Sequence, residues 1–434
     1  MEESLQKALE EAYRAKFSAK KFIPGQSPVP VSGKVFDAQE ILSMTEAVLD
    51  GWWTEGRFTD LFEAKIGKWL GINHVSVVNS GSSANLLALS ALKSAKLEDK
   101  GLKDGDEVIA VAAGFPVTVN PIIQNNLVPV FVDIDLGSYN ANVEEIKKAI
   151  GPKTRAIMIA HTMGNPCDLD AIVKLCQENN LWFIEDNCDA LGSKFGGKYT
   201  GTFGHISTCS FYPAHHITMG EGGAVFTNDD VLNRAVRSMR DWGRDCWCKT
   251  GNDNTCGMRF DWQLGELPFG YDHKYIYSEI GYNLKATDIQ AALGVAQLEK
   301  LDGFIQKRKD NFQYLYEGLK QFEKYFILPV WHEKADPSWF GFLLTVKEDA
   351  PFKRAELVQF LQDQQIATRY LFAGNLTKQP YFIDNKVKYR TVGDLKNTDL
   401  VMNNTFWIGC YPGLSKEMLD FIINSFAEFL TNRE

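Results

Sequence analysis

An α/β fold built on a mainly parallel sheet, followed by a smaller α+β domain, is the architecture this sequence predicts, on three observations. Short apolar runs alternate with helical stretches from about residue 75 to 226; a long helical stretch with small and aliphatic residues on several faces follows; beyond about residue 309 the texture changes to helices around one clear strand. The 434 residues, 45% of them apolar, suffice for two or three domains with a large core.

In chain order, Met1 to Phe22 reads as an amphipathic helix through Leu5, Leu9, Tyr13 and Phe17. It lacks the apolar core of a signal peptide, and its mixed polar face does not favour a membrane-surface anchor. Asp37-Ala38-Gln39-Glu40 is a capping box opening a helix that ends near Gly51, and a second helix is expected from Thr59 to Leu70. Strands are expected at Val75 to Val78, Val108 to Ala112, Val128 to Val132, Ala156 to Ala160, Trp182 to Ile184, Thr208 to Phe211 and Ala224 to Phe226. Helices at Ala84 to Leu92, Val143 to Ile150 and Leu169 to Glu178 separate them, which is the pattern of a parallel sheet covered on both faces. One long buried helix is expected from Thr287 to Lys307. After it come a strand from Phe340 to Val346, a helix from Arg354 to Gln364 and a last helix from Lys416 to Leu430. The expected organisation is an N-terminal helix and arm packing on the small domain (1–36), a large domain (37–308) and a small domain (309–434). The stretch Lys249 to Tyr275, rich in Gly, Asn and Asp, reads as a long loop.

Net charge is −9, with Lys and Arg spread along the chain, so neither a nucleic-acid stripe nor a polybasic membrane patch is indicated. No segment approaches the ~20 apolar residues of a membrane span, and a cytoplasmic location is expected. Eight cysteines are too sparse for a secreted disulfide scaffold and read better as metal ligands or buried thiols.

Three segments carry chemistry. Asn79-Ser80-Gly81-Ser82-Ser83-Ala84-Asn85 joins a strand to a helix, where backbone N–H groups and the helix dipole favour a phosphate; a plain turn is the bland reading. Phe183-Ile184-Glu185-Asp186-Asn187-Cys188-Asp189-Ala190 sets acids at the carboxyl end of a buried strand, the usual ligand site of open α/β sheets, with a helix cap as the alternative for Asp186. Cys246-Trp247-Cys248 with Cys256 lies in the long loop. Its spacing leaves zinc, an iron–sulfur cluster and free thiols all open.

Together with Ser210-Phe211-Tyr212-Pro213-Ala214-His215-His216 and Gly220-Glu221-Gly222-Gly223, these segments resemble, in order and over nearly the whole chain, the DegT/DnrJ/EryC1/StrS sugar aminotransferase family. Gly114-Phe115 with Thr118, His161-Thr162-Met163-Gly164-Asn165-Pro166 and Gly281-Tyr282-Asn283-Leu284 match as well. The resemblance implies the fold type I architecture of aspartate aminotransferase and a pyridoxal-type cofactor. Position by position, it implies that Ser82, Ser83 and Ser210 bind the cofactor phosphate, that Phe115 stacks on the pyridine ring and that Asp186 pairs with its nitrogen. Asn283 would reach the phosphate of a neighbouring subunit, making the enzyme a homodimer. Asp189 stands where the aminotransferases commonly have Gln or His, and His216 where they often have Asn.

The lysine slot holds His215. Lysine forms an imine with an aldehyde cofactor and imidazole cannot, so ordinary transamination is not expected. The resemblance implies pyridoxamine phosphate instead, whose amine condenses with a sugar ketone while His215, as base, removes a cofactor proton so that a neighbouring hydroxyl leaves. Tyr212, His216 and Phe340 are candidate pocket residues. Within the family, a branch of 3-dehydrases that make 3,6-dideoxyhexoses combines histidine in this slot with a 2Fe-2S cluster on four cysteines. Cys188, Cys246, Cys248 and Cys256 match that pattern, which implies a nucleotide-linked (CDP) 4-keto-6-deoxyhexose as substrate and a flavin-containing, NAD(P)H-dependent iron–sulfur reductase as partner. A cluster-independent 3-dehydratase and a non-catalytic cofactor-binding homologue are the rivals. Cys167, Cys176, Cys209 and Cys410 are expected to be plain buried thiols.

Overall fold

A computed structural model describes residues 1–17 and 21–431. In chain order the strands are β1 (His74–Val78), β2 (Glu107–Val111), β3 (Val128–Val132), β4 (Thr154–Ala160), β5 (Trp182–Asp186), β6 (Lys194–Phe195), β7 (Lys198–Tyr199), β8 (Ile206–Ser210), β9 (Gly223–Thr227), β10 (Phe326–Ile327), β11 (Ala335–Asp336), β12 (Gly341–Val346), β13 (Arg369–Tyr370), β14 (Arg390–Thr391) and β15 (Thr405–Gly409). The large sheet runs β1-β9-β8-β5-β4-β2-β3-β14. Among the described residues β9 is antiparallel to both its neighbours, β1 and β8, and the other pairings in this sheet are parallel. Its strands are buried almost throughout because helices cover both faces, which is why they read as continuous apolar runs. A second sheet, β10-β12-β15-β13, is antiparallel and encloses its own aromatic-rich core around Phe312, Phe342, Phe406 and Phe426.

Local chemistry accounts for the helices near the site. Asp37 and Glu40 form the expected capping box at the start of the helix Ala38–Leu49. The helix Arg57–Leu70 begins at Gly56, which has no side chain to cap it. Buried Asp288 supplies the cap from far along the chain, accepting the N–H groups of Gly56, Phe58 and Thr59 at 3.1, 3.1 and 2.8 Å.

The structure corrects several expectations. The single helix from Thr287 to Lys307 is two, Asp288–Leu298 and Leu301–Leu319. At the break, buried Glu40 draws Lys300 to 2.6 Å and Gln297 to 2.6 Å, anchoring the chain where a straight helix would carry it past. The N-terminal helix is Glu3–Lys16, and the part of its expected span at 18–20 lies outside the described residues. Tyr13 of this helix donates to the Phe36 carbonyl of the arm, and the Met1 ammonium pairs with Glu46, so the helix meets the large domain; the arm itself packs on the core of the small domain through Val29 beside Ile366 and Phe22 beside Phe421. The expected division at residue 309 is also crossed, because β14 adds to the large sheet and Leu376, Phe382 and Leu395 pack in its core. No helix among the described residues is long and apolar enough to cross a membrane.

Candidate active site

The carboxyl ends of β8, β5 and β4, neighbouring strands in the middle of the large sheet, bring the site together. Asp186 ends β5 and is buried. Its Oδ2 accepts Asn85 Nδ2 at 2.9 Å and Thr118 Oγ1 at 2.7 Å, while Thr208 Oγ1 donates to Asn85 Oδ1 at 2.5 Å. Strand alternation sends the neighbouring Glu185 to the other face, where the amides of Gly201, Phe203 and Gly204 hold it at 2.6 to 2.7 Å. Of the two adjacent acids, Asp186 faces the site and Glu185 ties a loop.

β5 runs two residues past its expected end at Ile184, and Cys188 lies beyond it. The strand stops at Asp186, and the Cys188 N–H donates back to Asp186 Oδ1 at 3.1 Å, closing a turn.

Ser80 caps the helix Gly81–Ala91 by accepting the Ser83 N–H at 3.1 Å, and its hydroxyl lies 3.0 Å from that of Ser83. An added Cβ on Gly81 would sit 2.4 Å from Ser210 Cβ, and one on Gly223 would sit 2.5 Å from the Ser80 carbonyl. Glycine therefore lets the helix start, with its first-turn amides, exposed Ser82 and half-buried Ser83, press against buried Ser210. Gly81→Ala is expected to destabilise the fold by ~1–3 kcal/mol and loosen cofactor retention. Native melting temperature and native retention in that variant would contradict this packing.

His215 follows β8 by five residues, largely shielded. Its ring packs on Phe340 with centroids 5.2 Å apart, and its Nδ1 stands 3.5 Å from Asp189 Oδ1. The His215 carbonyl accepts Arg308 at 3.0 Å, and the same guanidinium reaches the Trp339 and Phe340 carbonyls at 3.1 and 3.2 Å. Fully buried Arg308 thus ties the histidine loop to the start of β12. Burial, and then the Arg308 charge, lower the His215 pKa to about 4, so the imidazole is neutral at physiological pH. Burial, with Asp186 nearby, raises the Asp189 carboxyl to about 8 and keeps it protonated there.

This shift carries a stability signature. Between pH 6.5 and 4 the unfolded chain binds a proton at His215 that the folded chain refuses, so this contribution is complete above 6.5 and is lost as pH falls through 4. It is worth about 3 kcal/mol, and His215→Asn is expected to shed that pH dependence. Denaturant melts of native and variant apoprotein running parallel from pH 7 to 4 would show the shift to be absent.

The remaining predicted residues divide. Phe340 is buried against His215 and Trp407. Phe115 and Tyr212 are 51% and 50% exposed, Phe115 meeting Phe372 edge-on at 5.5 Å. Asn283 is exposed and bridges to Asp241. His216 is buried, with Nε2 2.8 Å from the Ser338 carbonyl. Arg308, Thr118 and Asn85 had no assigned role in the sequence reading. Arg308 had a signal: it is a cation on the apolar stripe of its helix, in line with Leu301, Ile305, Phe312 and Leu315.

Cys246, Cys248 and Cys256 line one small hollow with Arg259, His273 and Lys274. The Cys248 N–H points at Cys246 Sγ at 3.4 Å, Thr255 Oγ1 at Cys248 Sγ at 2.9 Å, and the Met258 N–H at Cys256 Sγ at 3.4 Å. Such donors suit thiolates. Cys188 does not line that hollow, and among the described residues no group of three or more His, Cys, Asp or Glu is arranged to hold a metal ion. Cys167, Cys176, Cys209 and Cys410 are buried, as expected.

The DegT/DnrJ/EryC1/StrS aminotransferase family profile matches residues 35–427. The chain belongs to this family. Among its relatives, the chain is 58% identical over 412 residues to the lipopolysaccharide biosynthesis protein RfbH of Salmonella typhimurium, spanning 95% of this chain and 94% of the relative. It is 51% identical over 409 residues to the dTDP-4-dehydro-2,6-dideoxy-D-glucose 3-dehydratase of Saccharopolyspora spinosa, spanning 94% and 88%. Among solved structures, a mutant of GDP-4-keto-6-deoxymannose-3-dehydratase (ColD) with bound GDP-perosamine superposes with a TM-score of 0.82 at 28% identity, covering 92% of this chain and 99% of that one. The E. coli GDP-4-keto-6-deoxy-D-mannose-3-dehydratase with bound hydrated PLP gives 0.81 at 28% identity, covering 92% and 98%. The fold is that of the pyridoxal-dependent members of the family. The chain is an enzyme of the sugar 3-dehydratase and aminotransferase kind, with a cofactor of the PLP/PMP type.

Proposed function

We propose that this enzyme is a pyridoxamine phosphate-dependent 3-dehydrase that removes the C3 hydroxyl of a nucleotide-linked 4-keto-6-deoxyhexose on the way to 3,6-dideoxyhexoses of surface polysaccharide. The observation that carries the reading is a neutral, shielded histidine in the lysine slot, packed on Phe340 and 3.5 Å from Asp189. The residues present fit the cofactor: the Gly81–Ser210 approach shapes a phosphate cradle, and buried Asp186 is a carboxylate positioned by Asn85 and Thr118. When bound, that group supplies an amine and an electron sink.

The chain's own residues do the rest. Ser82, Ser83 and Ser210 would hold the phosphate, and Asp186 would pair with the ring nitrogen. His215 would receive and return one proton at the unprotonated nitrogen of its imidazole, which is neutral at physiological pH. Phe115 covers the ring, while Phe340 keeps water from the base. Tyr212 and protonated Asp189 serve as contacts for the sugar. Asn283, exposed on its loop, completes the phosphate site of a second copy in a homodimer.

The finer reading adds a CDP-linked substrate and electron supply from an NAD(P)H-dependent flavin iron–sulfur reductase through a 2Fe-2S cluster. Its support is the cysteine set itself, three members of which share one hollow with donors aimed at their sulfurs. Cys188, in the turn after Asp186, stands outside that hollow, so a four-thiolate site requires these two loops to approach each other. Protein purified anaerobically is expected to be brown, with about two irons per chain and a spin-resonance signal on reduction. A colourless, iron-free preparation that dehydrates the sugar would instead establish the cluster-independent 3-dehydratase, the reading that the separate position of Cys188 favours. Turnover of CDP-4-keto-6-deoxyglucose with a chemical reductant tests catalysis itself, and none with any nucleotide-linked 4-keto-6-deoxyhexose would leave only a cofactor-binding homologue.

A further inference from the structure

Phe115 opens the helix Pro116–Gln124, and its backbone is fixed relative to Asp186: the Phe115 carbonyl accepts the Thr118 N–H at 3.2 Å, and Thr118 Oγ1 donates to Asp186 at 2.7 Å. The ring is less constrained. It is half exposed, so burial alone does not choose among its staggered rotamers. Among the described residues, the one aromatic ring in contact with it is Phe372, edge-on at 5.5 Å with the planes 88° apart.

Phe372 meets it from a strained backbone. Its φ is +42°, in the left-handed region, where a bulky L side chain crowds its own main chain. The turn is held from both sides. On one side β13 ends at Tyr370 and pairs with β15 in the small sheet, the Phe372 N–H donates to the Tyr370 carbonyl at 2.8 Å, and the Gly374 N–H donates to that of buried Leu371 at 2.9 Å. On the other side the Ala373 and Leu376 amides donate to the Gly114 and Ala112 carbonyls at 3.3 and 3.0 Å, on the loop that carries Phe115. Such strain persists where the surroundings over-determine it, and it clusters at functional sites. A turn that only had to cross between the two sheets would be relaxed by glycine at this position.

We infer that Phe372 is a positioning residue: the crossing segment holds its ring edge-on against Phe115 and so fixes the rotamer in which Phe115 covers the cofactor ring. The inference rests on the reading of Phe115 given above.

The test uses the full-length chain and three readouts other than turnover: the dissociation constant for pyridoxamine phosphate by equilibrium dialysis, the induced circular dichroism of the bound cofactor, and the melting temperature of the apoprotein. Phe372→Ala and Phe372→Gly are both expected to weaken binding by about 5- to 10-fold and to diminish the induced band, whereas Phe372→Tyr keeps both. Both small variants lack the ring and only glycine relaxes at positive φ, so the glycine variant is expected to melt above the alanine one. In a Phe115→Ala background, Phe372→Gly is expected to add no further loss of affinity. Native affinity in Phe372→Gly would overturn the proposal, as would a glycine variant melting at or below the alanine variant. A further loss of the same size in the Phe115→Ala background would overturn it too, because Phe372 would then touch the ligand itself. Should the small variants fail to fold, Phe372→Leu, which fills the space without an aromatic edge, gives the same binding readout. Failure of the underlying reading is reported by a different variant: native affinity in Phe115→Ala alone would show that Phe115 does not cover the ring, and would take this proposal with it.

Discussion

Replacing His215 by asparagine is expected to slow proton removal from the cofactor methylene by ~10²–10⁴-fold while the cofactor stays bound. The size of the effect follows from what the site offers in its place. Asp189 is protonated at neutral pH, its carboxyl raised to about 8, and Arg308 is a buried cation already occupied by three carbonyls. His216 is turned to the Ser338 carbonyl. None of them is a base at neutral pH within the same space. The retention of cofactor follows from the phosphate cradle and Asp186 lying on other loops, untouched by the substitution. Deuterium exchange at the methylene of bound pyridoxamine phosphate checks this without needing the sugar, and exchange at the native rate in His215→Asn would remove His215 from the role. The acid limb of the native exchange rate is expected near pH 4, below that of an ordinary histidine, because burial and Arg308 both disfavour the imidazolium.

Asp186→Asn is expected to weaken cofactor retention by ~10²-fold or more, about 3 kcal/mol, and to slow exchange as well. Two effects add. The substitution removes the carboxylate proposed to face the ring nitrogen, and it presents an amide to donors built for a carboxylate. Asn85 Nδ2 and Thr118 Oγ1 both point at Oδ2, and the Asn85 amide is itself oriented by Thr208, so the network has no free rotation with which to adapt. The dissociation constant by equilibrium dialysis is the direct measurement; native affinity in the variant would mean that Asp186 is a loop brace like Glu185.

Much of this was legible because local rules and the fold agree. The alternation of apolar runs and helical stretches gave the sheet, and the Asp37–Glu40 box and the Leu169 helix start are where side-chain caps predict them. What escaped was long-range. The break at Glu299–Lys300 depends on Glu40, some 260 residues upstream, and no periodicity within the helix announces it. β5 runs two residues past the apolar run that announced it, and the turn that follows arises when the Asp186 carboxylate captures the Cys188 amide. Arg308 was visible as a cation out of place on an apolar stripe, but that it ties His215 to Phe340 depends on two distant segments meeting. Thr118 and Asn85 were part of recognised motifs, yet only tertiary contact shows that their target is Asp186.

One feature of the fold limits how this protein can be rearranged. The chain leaves the large sheet, builds the antiparallel one, and then returns to lay β14 beside β3 and to place Leu376, Phe382 and Leu395 among the helices of the first core. Cut at residue 309, the upstream piece would lose an edge strand and part of its interior, and the downstream piece would carry those same apolar residues with nothing to bury them against. The two sheets are consequently not interchangeable modules. Grafting the C-terminal part of a relative onto this N-terminal part would need junctions on both sides of residues 376–395, and the smallest unit that can be exchanged without injury is close to the whole chain.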